Sequence, residues 1–403
     1  MPDTNVNAYS RERTFRHRDR MSQVPIYLGK QFRFFINESD WKVLPMAAVI
    51  AGLVSMVIRN RIYASMEGCL IGAFALTCVA LWNGCFNSIQ SVCRERAIIK
   101  REHRSGMHIT SYVTAHMIYQ FVLCLAQTAI SLYVMKATGV PFPERGYFTR
   151  WAMLEMGISM LLISYAADMM SLFISSLSHT TTAAMTVMPF VLIFQLVFSG
   201  GIIPLPEWSQ SLSDFTVSNY GIRAIASQCG YNEMPMAAGW TALNSMKNSE
   251  IEETVTVGRI LEILNSEAME EYRDEVVIPA LTAGEAAELL KMREISDEEK
   301  NTVLNDPVTF GELLAAANTS EFIQKRKDES FTVKTTVGKL ISIFGEENVK
   351  SYLQQKTAEA ARKPQYEQSF ANITGNWFCL CLFILGFALL SVISLELIDK
   401  DKR

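Results

Sequence analysis

The chain has 403 residues, 49% hydrophobic and 19% charged, with a formal net charge of −4 and a mean hydropathy of +0.15. A soluble domain rarely carries 20 Met and 22 Phe, and a bare membrane bundle rarely carries so much charge, so neither class alone accounts for it. The charge is segregated: residues 204–375 hold 27 acidic and 16 basic residues, near −11, which leaves the remainder near +7. Two environments share one chain, and no uniformly basic surface marks a nucleic-acid partner.

Residues 1–23 are polar and carry Arg11, Arg13, Arg16, Arg18 and Arg20. They read as a disordered basic arm rather than a cleavable signal peptide, so the first true span is expected to direct insertion. Over 24–42, Ile26, Phe32, Phe35 and Ile36 form one apolar stripe beside Lys30 and Arg33. That pattern predicts a helix lying in the membrane interface.

A helix needs roughly 20 apolar residues to cross a ~30 Å hydrocarbon core. Runs at 43–59, 68–92, 111–135, 151–177, 182–203 and 376–397 predict six spans, the first five within 43–203 and the sixth within 370–398. Of the eight cysteines, Cys69, Cys78, Cys85, Cys124, Cys379 and Cys381 lie in these runs as small hydrophobes, and no disulfide framework is implied. Basic residues in the arm, the 93–110 loop and the tail (Lys400, Lys402, Arg403) fall on one side, outvoting Arg59 and Arg61. Both termini are therefore expected in the cytoplasm and 204–375 outside it.

Polar residues inside spans are costly, a central Asp about 2.5–3.5 kcal/mol on insertion scales, and so mark either a pathway or interhelical hydrogen bonds. Asp168 lies within the fourth span and Glu155 near its end; Asn83, Asn87 and Gln90 share a face of the second, and His116, Gln120 and Gln127 a face of the third. For most of these packing is the plainer reading, with Asp168 evenly placed between packing and a substrate route. The 93–110 loop mixes Glu95 and Glu102 among Arg94, Arg96, Lys100, Arg101 and Arg104. Topology needs only the bases, so the acids suggest salt bridges to a partner or a neighbouring helix.

After the fifth span, F-S-G-G-I-I-P-L-P-E-W (Phe198–Trp208) would end an ordinary helix. Such backbone is tolerated at membrane depth only when buried in protein or lining a cavity, which predicts a re-entrant and linker segment over 204–254. From 255 to 361 the chain repeats itself around Gly258, Gly284, Gly311 and Gly338, spaced 26, 27 and 27 apart. Thr256, Thr282, Thr309 and Thr336 suit helix N-caps, and Glu285 and Glu312 complete capping boxes. The expected product is four helical pairs stacked as a small solenoid outside the membrane.

Enzyme chemistry has little to stand on. No G-x-x-x-x-G-K-[S/T] loop is present, and His17, His103, His108, His116 and His179 show no tight metal spacing. No Ser–His–acid set emerges.

Together these motifs resemble the membrane half of White/ABCG-type ABC exporters, most closely their bacterial permease relatives. The resemblance rests on Asn87, Ser88 and Ile89, followed by Glu95, Arg96, Ala97, Ile98, Lys100, Arg101, Glu102 and Gly106, and on Phe198, Ser199, Gly200, Pro204 and Trp208, with Ser218, Tyr220 and Gly221 after them. It covers about 24–230 and 370–398. It implies an all-α polytopic fold of six transmembrane helices with an N-terminal interfacial helix, carrying the repeat as an extracytoplasmic insert. It implies that Glu95, Arg96, Lys100, Arg101, Glu102 and Gly106 couple the spans to an ABC ATPase subunit. That subunit would hold ATP and Mg²⁺, with no cofactor in this chain. It also implies a homodimer or heterodimer in membrane lipid, with Asn83, Phe86, Asn87, Asp168, Phe194, Phe198, Gly201 and Ile202 along a substrate pathway. Gly201 and Ile202 stand where some members carry a two-Leu plug. The insert departs from the family, and a membrane-tethered receptor whose insert captures an external ligand is the alternative.

Overall fold

The computed structural model describes residues 19–37, 40–201, 205–278 and 306–397. Most of the basic arm, Ile202, Pro204, the second repeat's Gly284 and Glu285, and the tail cations lie outside the described residues. The chain divides into two units, Met1–Trp240 with Ser351–Arg403, and Thr241–Lys350.

In the first unit α1 (Arg20–Asn37) precedes a 3-10 turn at Asp40–Lys42 and α2 (Val43–Ile58). Helix α3 (Met66–Ser88) starts at Ser65, whose hydroxyl accepts from the Gly68 N–H, and α4 (Ser91–Arg104) follows after two residues. Then come α5 (Ile109–Ala137), α6 (Ala152–Leu177), α7 (Thr181–Val197), α8 (Glu207–Ser213) and α9 (Val217–Gln228). Ahead of α6 the loop is tied down by Glu155, which accepts from the Tyr147 and Phe148 N–H groups at 2.9 and 2.6 Å.

The second unit holds the repeat. Between α10 (Ala238–Ser245) and α15 (Glu346–Ala361), which reach into it from either side, the described elements are β1 (Glu250–Thr256), α11 (Val257–Leu264), β2 (Val276–Ile278), β3 (Val308–Thr309), α12 (Phe310–Thr319), α13 (Glu321–Lys325), β4 (Ser330–Thr336) and α14 (Val337–Phe344). Each described repeat Thr caps its helix: Thr256, Thr309 and Thr336 accept from the N–H three residues on, and Thr309 with Glu312 closes a capping box.

The predicted solenoid is corrected in two respects. What precedes each described glycine is a strand, and the strands do not pair in succession. β1 runs antiparallel to β4, from Glu250↔Thr336 to Thr256↔Ser330, and β2 to β3, so the first unit meets the fourth and the second meets the third. The repeat glycines explain the pairing. The Gly258 N–H donates to the Lys327 carbonyl at 3.0 Å and the Gly338 N–H to the Lys247 carbonyl at 2.8 Å, a reciprocal exchange; Gly311 donates to Arg273 at 2.8 Å. Lys247 and Lys327 each stand eleven residues before a repeat glycine. A Cβ at Gly338 or Gly311 would lie 3.1 Å from that carbonyl oxygen, so glycine lets the partner's backbone reach the first orphan amides of the helix. Periodicity in the helices masked the period-two runs that lead into them.

After the insert, α16 (Phe370–Glu396) returns to the bundle, N-capped by Ser369. Four helices are long and apolar enough to cross a membrane within Met66–Arg104, Ile109–Ala137, Ala152–Leu177 and Phe370–Glu396, and Asp40–Ile58 makes a fifth. The predicted fifth span, 182–203, is instead the 17-residue α7, which ends at Val197. At 1.5 Å per residue it reaches about 26 Å, the low end of the length that crosses a hydrocarbon core. The core forms where α3 and α6 pack most closely, with α9 and α16 against them. Gly84 makes that approach achievable, since a Cβ there would overlap the Ser164 carbonyl oxygen of α6.

Two stability tests follow from these glycines. Gly84→Ala should lower the stability of the bundle by ~1–3 kcal/mol through overpacking, seen as a lower thermal midpoint. Gly386→Ala, whose added Cβ meets nothing within 4 Å, should leave the midpoint in place. In the insert, Gly338→Ala should weaken the exchange with Lys247 by ~1 kcal/mol, read as faster hydrogen exchange across β1 and β4 in the full chain.

Candidate functional site

Helix α4 has two faces. Val92, Cys93, Glu95 and Ile99 are buried, while Arg94, Ala97, Ile98, Arg101 and Arg104 recur at three- and four-residue spacing on the exposed side. The inner face is fastened at both ends. At its start, the Val92 and Cys93 N–H groups, which no helical carbonyl can serve, donate to Ser175 Oγ at 3.2 Å each. Arg96 returns the exchange, its Nη1 donating to the terminal α6 carbonyls of Ser176 and Ser178 at 2.8 and 3.1 Å. The end of α6 and the start of α4 thus satisfy each other's orphan groups.

Helix α1 holds the same face from the other side. Lys30 Nζ lies 3.0 Å from Glu95 Oε2 and 3.5 Å from Glu102 Oε1. Beyond the helix, Gly106 adopts φ +100° and its carbonyl accepts from Gln23 Nε2 at 3.2 Å, while Gln23 Oε1 accepts from the His108 N–H at 3.0 Å. Burial pushes the Glu95 carboxyl above its ordinary range, an effect opposed by the Lys30 ammonium. Burial, and then the nearby Glu102 charge, also raise the Tyr27 phenol.

Of the six residues predicted to couple the spans to an ATPase, Glu95, Arg96, Glu102 and Gly106 therefore make contacts inside the protein. Lys100 is half-buried and Arg101 belongs to the exposed face. Arg94, Ala97, Ile98 and Arg104 complete that face. Lys30, Gln23 and the Ser175–Ser178 run were missed as anchors; the acids at Glu95 and Glu102, lodged among bases, were the one signal that salt bridges to a neighbouring helix were needed.

The predicted pathway residues separate into three places. Asn87 and Gln127 form a two-way amide pair between α3 and α5 at 2.8 and 3.0 Å, and Gln120 donates to Ser88 Oγ at 2.8 Å. Asn83, Phe86 and Asn87 line one groove with Lys42, Val43, Met46, Ile50, Trp82 and Gln127, about 610 Å³ in volume. Asp168 is fully buried beside Ser88 and lines no described cavity near that groove. Phe194 and Phe198 pack together on α7 and the turn after it, ring centroids 4.8 Å apart, and Gly201 is buried against Ile222. Nothing in the described single chain brings the α7 phenylalanines to the groove beside Phe86.

Residues 35–228 match the family model described as ABC-2 type transporter, from late α1 to the last residue of α9. Over that stretch, just under half of its length, the chain is similar to ABC-2 transporter membrane domains. The ABC-2 match takes in α4 and the end of α6 bonded to it, though not Gln23 or Lys30 of α1, and the chain is a multi-pass membrane protein. Over 199 residues the chain is 30% identical to an ABC transporter ATP-binding/permease protein of Mycobacterium tuberculosis, a stretch that takes in 47% of this chain and 23% of that relative. The matched region thus spans less than a quarter of the relative's length. The acidic repeat lies beyond the ABC-2 domain as matched.

The Lys30 tie makes a measurable demand. Lys30→Met leaves Glu95 buried without its counterion and should cost about 3 kcal/mol, whereas Lys30→Met with Glu95→Met should recover most of the loss. Thermal unfolding of the two variants beside the parent would measure both effects.

Proposed function

We propose that this chain is the transmembrane permease subunit of an ABC exporter, moving an amphipathic substrate out of the cytoplasm. A separate ATPase subunit supplies the energy from ATP, with Mg²⁺ held on that subunit. Two permease subunits pair, identical or different, around a route that includes Phe86, Asn83, Phe194 and Phe198. Both termini and α4 face the cytoplasm, and the insert faces away from it.

One observation carries the reading: the two-sided construction of α4. Its inner face is bonded to α1 and α6, so a push on the helix is passed to the bundle rather than absorbed by local bending. Its outer face presents Ile98, 37% exposed, among Arg94, Arg101 and Arg104. An apolar anchor ringed by cations is the composition of a docking patch, since the centre excludes water while the rim steers an acidic partner. The coupling role moves accordingly from Glu95 and Glu102, which hold the lever, to Ile98 and Arg101, which receive the force. The 30% identity to a protein whose name joins an ATP-binding part to a permease supports a neighbour of that kind.

Ile98→Asp with Arg101→Glu should weaken association with the cognate ATPase by about tenfold or more and abolish substrate-stimulated ATP hydrolysis, with the thermal midpoint unchanged. Full association and stimulation in that variant would overturn the docking assignment. A chain that recovers no ATPase from its native membrane, yet binds an external ligand through the insert, would favour the tethered-receptor reading instead.

A further inference from the structure

A polar cavity of about 180 Å³ lies where α1, the turn before α2, the end of α3 and the start of α5 meet. Gln31, Asp40, Arg94, His116, Tyr119 and Gln120 are among its lining residues. Three of these are more than nine-tenths buried: Gln31 is 6% exposed, and His116 and Gln120 are 1% exposed each. Among the described residues, Gln31 Nε2, both ring nitrogens of His116 and Gln120 Oε1 have no hydrogen-bond partner. Buried polar atoms left so cost about 1–3 kcal/mol each, which a packed interior does not accumulate in one place without an occupant.

The cavity does not stand alone. Val43, Phe86 and Asn87 line both it and the 610 Å³ groove between α2 and α3, whose other lining residues are the apolar Met46, Ile50 and Trp82 with Lys42, Asn83 and Gln127. Met46 and Trp82 are themselves exposed, at 62% and 42%, so the groove opens sideways from the bundle. From Val43 to Ile50 it follows two turns of helix, about 10 Å down the apolar part of the first span. At the cavity's mouth Arg94 and Asp40 sit 3.7 Å apart, a cation beside an anion.

We propose that this paired cavity and groove is a binding site for one zwitterionic, amine-bearing glycerophospholipid. The phosphate meets Arg94 and the Gln31 amide, the headgroup ammonium meets Asp40, and one acyl chain lies against Met46, Ile50, Trp82 and Phe86. A free anion would leave the adjoining groove unfilled, and a purely apolar molecule would leave the buried polar atoms unserved. An anionic headgroup without an amine would place its charge against Asp40. The groove shares Asn83 and Phe86 with the route proposed above, and the cavity shares Arg94 with the rim of the docking face, but the unpaired buried amides and the groove that carry this site stand without the permease reading.

The test is native mass spectrometry of the full-length chain released from nanodiscs of equimolar phosphatidylethanolamine and phosphatidylglycerol. The parent should retain one phosphatidylethanolamine per chain at collision energies that strip the remaining lipid. Met46→Trp, which fills the groove, and His116→Leu with Gln31→Leu, which remove the polar lining, should each cut retention about tenfold, the equivalent of roughly 1.4 kcal/mol. Leu53→Trp, an equally exposed substitution on the same helix outside the groove (Leu53 is 63% exposed), should retain the lipid and guards against a general effect of added bulk. Retention by Met46→Trp equal to the parent's, equal retention of phosphatidylglycerol, or equally tight binding of glycerophosphoethanolamine lacking acyl chains would each overturn the proposal. Loss of ATPase coupling in the Ile98 and Arg101 variant with lipid still bound would separate this site from the docking face.

Discussion

One ammonium group organises the end of the bundle that carries α4. Lys30 stands between Glu95 and Glu102, and without it two carboxylates two turns apart on one side of a helix would share a low-dielectric interior. Two opposite charges beside one cation satisfy it better than one, which offsets the cost of drawing Lys30 away from water. Because Lys30 belongs to α1 and the carboxylates to α4, the ion triad also fixes the angle between these two helices. The Ser175 and Arg96 exchange with α6 then fixes the second angle. With two helices holding it, α4 turns Ala97, Ile98 and Arg101 outward on its exposed face.

This arrangement turns the amphipathic logic of α1 inside out. Ile26, Phe32 and Ile36 are exposed at 48%, 40% and 71%, while Gln23 and Gln31 are buried. In water that would be a misfolded helix; at a membrane interface the outward stripe meets lipid and the inward amides do structural work. Gln23 spends both of its amide functions on the chain around Gly106 and His108, and Gln31 turns its own toward the polar cavity.

Much of the bundle was legible in the sequence because lipid imposes a length and a hydropathy that a span cannot evade. Segments 43–59, 111–135 and 151–177 emerge as helices within a few residues of the pattern that predicted them, whereas 182–203 stops early because Gly200, at φ +66°, and the prolines beyond it cannot continue a helix. The direction of side chains was not legible. Glu95 and Arg101 are both charged residues of one short amphipathic helix, and only packing against α1 and α6 decides that the first is a buried anchor and the second an exposed contact. For the amides packing was the plainer reading, but the partner was not legible: Gln127 stands across from Asn87, forty positions along the chain. In the insert, the glycine period was plain, but the nested pairing of first with fourth and second with third is a property of backbone amides that carries no side-chain signature.

The insert and the bundle solve one problem in two ways. In each, the first amides of a helix lack partners, and a segment distant in sequence supplies the acceptor: Ser175 for α4, and the Lys327 and Lys247 carbonyls for α11 and α14. The chemistry of the acceptor differs with its surroundings. A side-chain hydroxyl can be aimed from a helix whose own backbone is fully engaged, as α6 must be in lipid, where an unpaired carbonyl is prohibitively costly. A backbone carbonyl can be spared only from a turn or strand end, where water tolerates irregular chain. Glycine is then required at the receiving helix, because a peptide carbonyl, unlike a serine hydroxyl, arrives with its whole backbone behind it. The constant glycine spacing is thus the trace of strand-to-helix docking in water, and the serine run at the end of α6 is its counterpart at the membrane.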